Sequence, residues 1–172
     1  MVDFWFEFAS TYSYPAAMRI GALAQARGIE LRWRPFLLGP AFKLNGWSTS
    51  PFNLYPAKGR YMWRDLARIC DALNLPFAEP PDFPQNTLLT ARVALIGLGQ
   101  SWGEEFCRAA YRAQFGDGRN ISEPAVIAGI LNALGQDADM VFAEAQSDDN
   151  KARMRAQTEE AGRLGIFGAP NF

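Results

Sequence analysis

The segment from Val2 to Pro15 constrains the fold more than any other. Val2, Phe4, Phe6 and Phe8 alternate with Asp3, Trp5 and Glu7, the period-2 pattern of a β-strand. Aromatic side chains fall on both faces, so the strand is predicted to lie in a sheet covered on both sides. The sequence then changes to Ala9-Ser10-Thr11-Tyr12-Ser13-Tyr14-Pro15. Small hydroxyl residues at such a junction predict a turn into a helix, with Pro15 tolerated in the first helical turn. That helix is predicted over 13–27, with Gly28 at its C-terminal cap. Glu30 to Phe36 reads as a second strand. Strand, helix and strand of these lengths form a βαβ unit, parallel and right-handed.

Beyond it, Leu37 to Pro56 is rich in Gly, Pro, Ser and Asn and is predicted to be a long loop, of the kind that often carries function. Apolar spacing predicts a helix over 57–73. Pro76, Pro80, Pro81 and Pro84 exclude helix from 74–85. Further helices are predicted over 87–98, 102–115, 123–134 and 138–146. A last one, over 149–164, stops at Gly165. The tail from Gly165 to Phe172 reads as a turn entering a new strand. Two strands and a strand stub make a small sheet, so a C-terminal hairpin and helix are expected to be missing from this chain.

Composition excludes several functions. The 172 residues are 49% hydrophobic and 20% charged, ordinary for one globular domain or one carrying an insertion. A net charge of −1 argues against nucleic acid as the main partner, because duplex binding needs a basic surplus. No apolar run reaches the roughly 20 residues that span a bilayer, so no membrane partner is expected. The first residues carry no basic segment leading an apolar one, which points to a cytoplasmic location. The two cysteines, Cys70 and Cys107, form no CxxC and lie in apolar helical patterns, where they read as buried thiols. There is no histidine. That excludes Ser-His-Asp and Cys-His nucleophile systems and His-containing zinc sites. Acid–base work falls to carboxylates, Lys, Tyr, Cys, the substrate or a borrowed thiol.

The turn after the first strand is the leading site candidate. A helix N-terminus offers unpaired N–H groups and about half a positive charge, which suits a thiolate, a carboxylate or a phosphate. The commoner role of Ser10 or Ser13 there is to cap the helix. Late in the chain, Gly168-Ala169-Pro170 precedes a strand. A proline there is ordinarily trans, and a cis bond is the rarer, tight-turn alternative. Arg60, Arg64 and Arg68 fall on one helix face. They read as a solvated or ion-paired face, with Arg60 or Arg64 available to attract an anionic substrate. Tyr12 and Trp47 can wall an aromatic pocket, and core packing accounts for Tyr12 about equally well. Glu104-Glu105 and Asp148-Asp149 read as surface charge.

Four separate stretches together resemble one family. D-F-W-F-E-F-A-S-T-Y-S-Y, R-W-R-P-F-L-L-G-P-A-F-K, P-A-K-G-R-Y-M-W-R-D-L and T-E-E-A-G-R-L-G-I-F-G-A-P are similar to the 2-hydroxychromene-2-carboxylate isomerases and the kappa-class glutathione transferases. The resemblance spans nearly the whole chain. It implies an α/β fold: a thioredoxin-like domain with an inserted all-helical domain, as in DsbA-type oxidoreductases. The first would comprise 1–42 and 149–172, the insertion 43–148. It implies that Pro170 is the family's cis-proline and that glutathione is the cofactor.

Residue by residue, Ser10 matches the serine that hydrogen-bonds the glutathione sulfur. A hydroxyl donor at a helix N-terminus stabilises a thiolate. Serine itself cannot form a mixed disulfide, so the nucleophile would be borrowed. Thr11, Tyr12, Lys58, Ala169 and Pro170 are the expected remaining glutathione contacts, with the Ala169 backbone pairing to the tripeptide as an added strand. Lys43, Trp47 and Arg64 are the expected substrate contacts. Two positions depart from the family pattern: Thr11 stands where many relatives carry proline, and Trp47 where they carry asparagine. The expected activity is glutathione-dependent isomerisation of an aromatic 2-hydroxychromene-carboxylate-like compound by a homodimer. A kappa-class-like transferase or peroxidase is the first alternative, and a non-catalytic thioredoxin-fold binding protein the second. A disulfide oxidoreductase is disfavoured, because Ser10 and Ser13 occupy the two places of a CxxC.

Overall fold

The aromatic alternation forms the strand it predicts. In a computed structural model that describes residues 1–44 and 46–172, β1 (Val2–Phe6) pairs in parallel with β2 (Leu31–Pro35). The register sets Asp3 opposite Arg32, and the two side chains form a bidentate ion pair at 2.6 and 2.7 Å. The crossover is α1 (Ser13–Ala26), and Gly28 follows it at φ +62°, a left-handed conformation that glycine adopts freely. On the other side of β1, Trp5 and Asn171 exchange two backbone hydrogen bonds of 2.9 Å as an antiparallel bridge. The tail thus meets β1 through a single bridge; the new strand its sequence predicts does not form among the described residues, where the sheet has two strands.

Between β2 and the last helix, the regular structure among the described residues is all helical. It comprises α2 (Leu38–Leu44), α3 (Pro51–Leu54), α4 (Pro56–Ala72), α5 (Leu88–Gly97), α6 (Gly103–Tyr111), α7 (Pro124–Ala133) and α8 (Ala138–Ala145), followed by α9 (Asp148–Arg163). Two expectations need correction. The segment 37–56 is not one long loop: α2 and α3 lie within it. Ser50 caps α3 by accepting the Phe52 N–H, with Pro51 at the first helical position. Such short helices leave too little periodicity for the sequence to signal. The helix predicted over 102–115 is α only to Tyr111, and Arg112–Gly116 widens into a π-turn. The proline-rich stretch 74–85 is irregular, as predicted, and holds a cis peptide at Phe83–Pro84.

Both faces of β1 are covered. Phe4, Phe6 and Phe8 pack with Trp33, Tyr14, Tyr111 and Phe106 into a main core that continues through α5, α7 and α8. Ring centroids stand 5.0 Å apart for Phe4–Trp33 and for Phe8–Tyr111, within the range of favourable aromatic pairs. The opposite face buries Trp5 with Phe36, Ala161 and Ile166. There α9 is tied to β2: Arg34 pairs with Glu160 and lies over the Trp5 ring, and Gln157 donates to the Pro35 carbonyl. No helix among the described residues is long and apolar enough to cross a membrane.

Candidate active site

The site is built where β1 ends, α1 begins and the tail returns. The Ser10 N–H donates to the Glu7 carbonyl at 3.0 Å, and the Ser10 carbonyl accepts from Ser13 N–H at 3.1 Å. These two bonds shape the tight turn into α1. The capping role expected of Ser10 or Ser13 does not hold: α1 has no side-chain cap. The Ser10 hydroxyl instead donates 2.8 Å across the molecule to the carbonyl of Ala169. The Ala169–Pro170 peptide is cis, so the rarer of the two proline alternatives is the one present. Long-range pairing of Trp5 with Asn171 carries Ala169 to this point. Thr11 and Ser13 are buried, and among the described residues the Thr11 hydroxyl has no hydrogen-bond partner.

Tyr12 is the hinge between this turn and α4. Its phenol donates to Asp65 at 2.9 Å, and burial together with that carboxylate raises its pKa to about 12. The Tyr12 ring lies 6.5 Å from Phe52, and Lys58 Nζ sits 5.6 Å from the same Phe52 ring. Lys58 thus reaches the neighbourhood of the turn through Phe52. Gly59 permits this arrangement, because a Cβ there would lie 2.5 Å from the Phe52 carbonyl oxygen. An apolar cleft of about 510 Å³ also starts at Tyr12 and runs along α1 past Arg19 and Leu23 to Phe172.

The remaining predicted residues fall outside this cluster. Lys43 and Arg64 are exposed, and Trp47 is half-buried against Phe42 at 6.0 Å. Among the described residues no hydrogen bond, ion pair or ring contact joins any of the three to Ser10, Tyr12 or Ala169. Asn45, in the same segment as Lys43 and Trp47, lies outside the described residues. Arg60, Arg64 and Arg68 form an exposed face, and α4 turns Asp65 toward Tyr12 instead. Cys70 and Cys107 are buried free thiols. Burial pushes the Cys70 thiol up to about 11 and Cys107 well above its ordinary range.

Sequence reasoning missed Glu7, Phe52 and Asp65. Glu7 left a signal: it is an acid inside an otherwise aromatic segment that is covered on both sides. Phe52 and Asp65 left none, since their roles depend on how α3 and α4 pack against the turn.

A strand, a turn into a helix and an opposing cis-proline at that turn are the frame of a thioredoxin-like fold. The whole chain, residues 1–172, matches the family model of the DsbA-like thioredoxin domain, and the chain belongs to that family. It is 30% identical over 171 residues to a 2-hydroxychromene-2-carboxylate isomerase of Sphingobium xenophagum, covering 98% of this chain and 86% of the relative. It is 27% identical to glutathione S-transferase kappa 1 of Caenorhabditis elegans, covering 98% of this chain and 78% of the relative. The solved structure of a 2-hydroxychromene-2-carboxylate isomerase superposes with a TM-score of 0.87 at 23% identity, over 98% of this chain and 82% of that one.

Proposed function

We propose that this chain is a glutathione-dependent isomerase of 2-hydroxychromene-2-carboxylate-like aromatic compounds. The observation that carries the proposal is the Ser10 hydroxyl, placed at the N-terminus of α1 and 2.8 Å from the carbonyl beside the cis-proline. The residues there suit the tripeptide. Ser10 supplies a donor that can turn from Ala169 to a sulfur. The buried, unpartnered Thr11 hydroxyl and the helix N-terminus favour an anion. The Ala169 backbone can take a peptide as an added strand, and Lys58 offers a cation for a carboxylate.

Bound there, glutathione supplies a thiol nucleophile that adds to a conjugated double bond and leaves again, so isomerisation does not consume it. The chain's own part is electrostatic. Ser10 and the α1 N-terminus hold the sulfur as thiolate, a charge-assisted bond stronger than a neutral one. Tyr12, fixed by Asp65, walls the turn. Lys43, Trp47 and Arg64 are the substrate contacts we assign from family resemblance, and they would have to approach the turn when substrate binds. Residues 43–148 are read as the inserted domain, and the working unit as a homodimer.

Purified protein with glutathione and a hydroxychromene carboxylate should isomerise it without loss of free thiol. Replacing Ser10 by Ala should lower kcat/KM on the order of 10²-fold, the cost of removing one preorganised donor. The C. elegans relative supports a second reading, a kappa-class-like transferase, which would consume glutathione with a generic electrophile. Absence of both activities, with no rise in melting temperature on adding glutathione, would sink both.

A further inference from the structure

Among the described residues no cation is paired with the Glu7 carboxyl. The residue is 5% exposed, and no ion pair among the described residues includes it. Four hydrogen bonds converge on it. Oε2 accepts the Ala9 N–H at 2.8 Å, and Oε1 is bonded to the Thr87 hydroxyl. Its main-chain carbonyl accepts the Ser10 N–H at 3.0 Å and the Tyr111 hydroxyl at 2.9 Å. Two of these donors are the backbone of Ala9 and Ser10, and the other two come from the helical region. One residue therefore clamps the active-site turn to the helices that surround it. A strand covered on both faces has no need of an acid at this place, where any apolar side chain would pack at lower cost.

We infer that Glu7 is a positioning residue for Ser10, holding the Ala9–Ser10 backbone so that the Ser10 hydroxyl meets the α1 N-terminus and Ala169. The inference rests on the reading of Ser10 as the thiolate holder. Burial pushes the Glu7 carboxyl up to about 7, so a neutral acid is available to do this. The Thr87 hydroxyl donates to the ionised carboxylate; protonated at Oε1, the acid reverses that bond and donates to the rotatable hydroxyl, while Oε2 still accepts from Ala9. Glutamine can reproduce both bonds with its amide, whereas alanine makes neither.

The test is the pKa of the bound glutathione thiol, read by thiolate ultraviolet absorbance across pH, in wild type, S10A, E7A, E7Q and E7A/S10A. S10A should raise it by about one pH unit, since a hydrogen bond to the charged form lowers a pKa. E7A should raise it by most of that amount, and E7A/S10A by no more than S10A alone. E7Q should recover most of the E7A loss in kcat/KM. A merely structural role would leave the thiol pKa of E7A at the wild-type value, or add to the S10A shift, and either result overturns the inference. E7Q behaving like E7A overturns it as well. Should E7A not fold, Thr87→Val removes one of the clamp's bonds. It should shift the thiol pKa on the wild-type background and not on S10A, and no shift overturns the inference. Wild type failing to bind glutathione overturns the reading of Ser10, and this inference with it. Wild type binding while E7A and S10A add independently overturns the role of Glu7 alone.

Discussion

Glu7 also governs how stability responds to pH. Burial raises its carboxyl from 4.5 to about 7, against hydrogen bonds from Thr87 and the turn backbone that lower it. The folded pKa lies above the unfolded one, so the native chain holds an extra proton between these values. Its contribution is full below about pH 4.5 and is lost as pH rises through about 7, a loss on the order of 3 kcal/mol. Urea unfolding at a series of pH values should show this decline in wild type and not in E7Q. Parallel curves for the two proteins would mean that Glu7 titrates as an ordinary carboxyl. At Tyr12, removing the hydroxyl with Y12F breaks a 2.9 Å bond to Asp65 and should cost about 1 kcal/mol. The fully buried thiols of Cys70 and Cys107 should resist alkylation in the native state and react in denaturant, as mass spectrometry would report. Of these residues, the cysteines were legible from their apolar surroundings and the absence of a CxxC. Ser10 was legible as a candidate at the turn and misleading as a helix cap, because its hydroxyl partner lies 159 residues away.

The approach of α3 to α4 sets Lys58 over the Phe52 ring, which in turn lies near Tyr12. Phe52 lies between Lys58 and Tyr12, and it can do so only because residue 59 has no side chain. Gly59→Ala places a Cβ 2.5 Å from the Phe52 carbonyl oxygen, which backbone must move to relieve. The substitution should destabilise by about 1–3 kcal/mol and weaken glutathione binding, both measurable by melting temperature with and without glutathione. A variant as stable as wild type with unchanged affinity would show that α3 does not shape the site. The longer elements were legible because apolar period and punctuation agreed: α1 ends before Gly28, and α9 ends just before Leu164 and Gly165. The short helices in 37–56 were not, since one or two turns carry no measurable period and the Gly, Pro and Ser content there matches that of a loop.

Across the molecule, one core joins the sheet to the helices. Phe4, Phe6 and Phe8 of the N-terminal segment pack in the same cluster as Phe106, Ile127 and Val141. The site should therefore not survive loss of the helical region's packing. Phe106→Ala, at a fully buried position, should cost about 3–5 kcal/mol. Unfolding of this variant should stay a single transition, with tryptophan fluorescence and far-ultraviolet circular dichroism coinciding. Separated transitions would mean that the βαβ unit stands without the helices.

The sequence alone determined the βαβ unit, the family resemblance and the exclusion of histidine, CxxC and His-zinc chemistry. These follow from local pattern and residue count, which do not depend on where distant segments meet. Only the tertiary structure decided that Ser10 faces Ala169 instead of capping α1, that the Ala169–Pro170 bond is cis, and that Glu7 clamps the turn to Thr87 and Tyr111. Among the described residues it forms no hydrogen bond, ion pair or ring contact from Lys43, Trp47 or Arg64 to Ser10, Tyr12 or Ala169. Each of these is a contact between residues far apart in the chain, made when the buried faces of β1, the helices and the tail pack together, and no local preference encodes it.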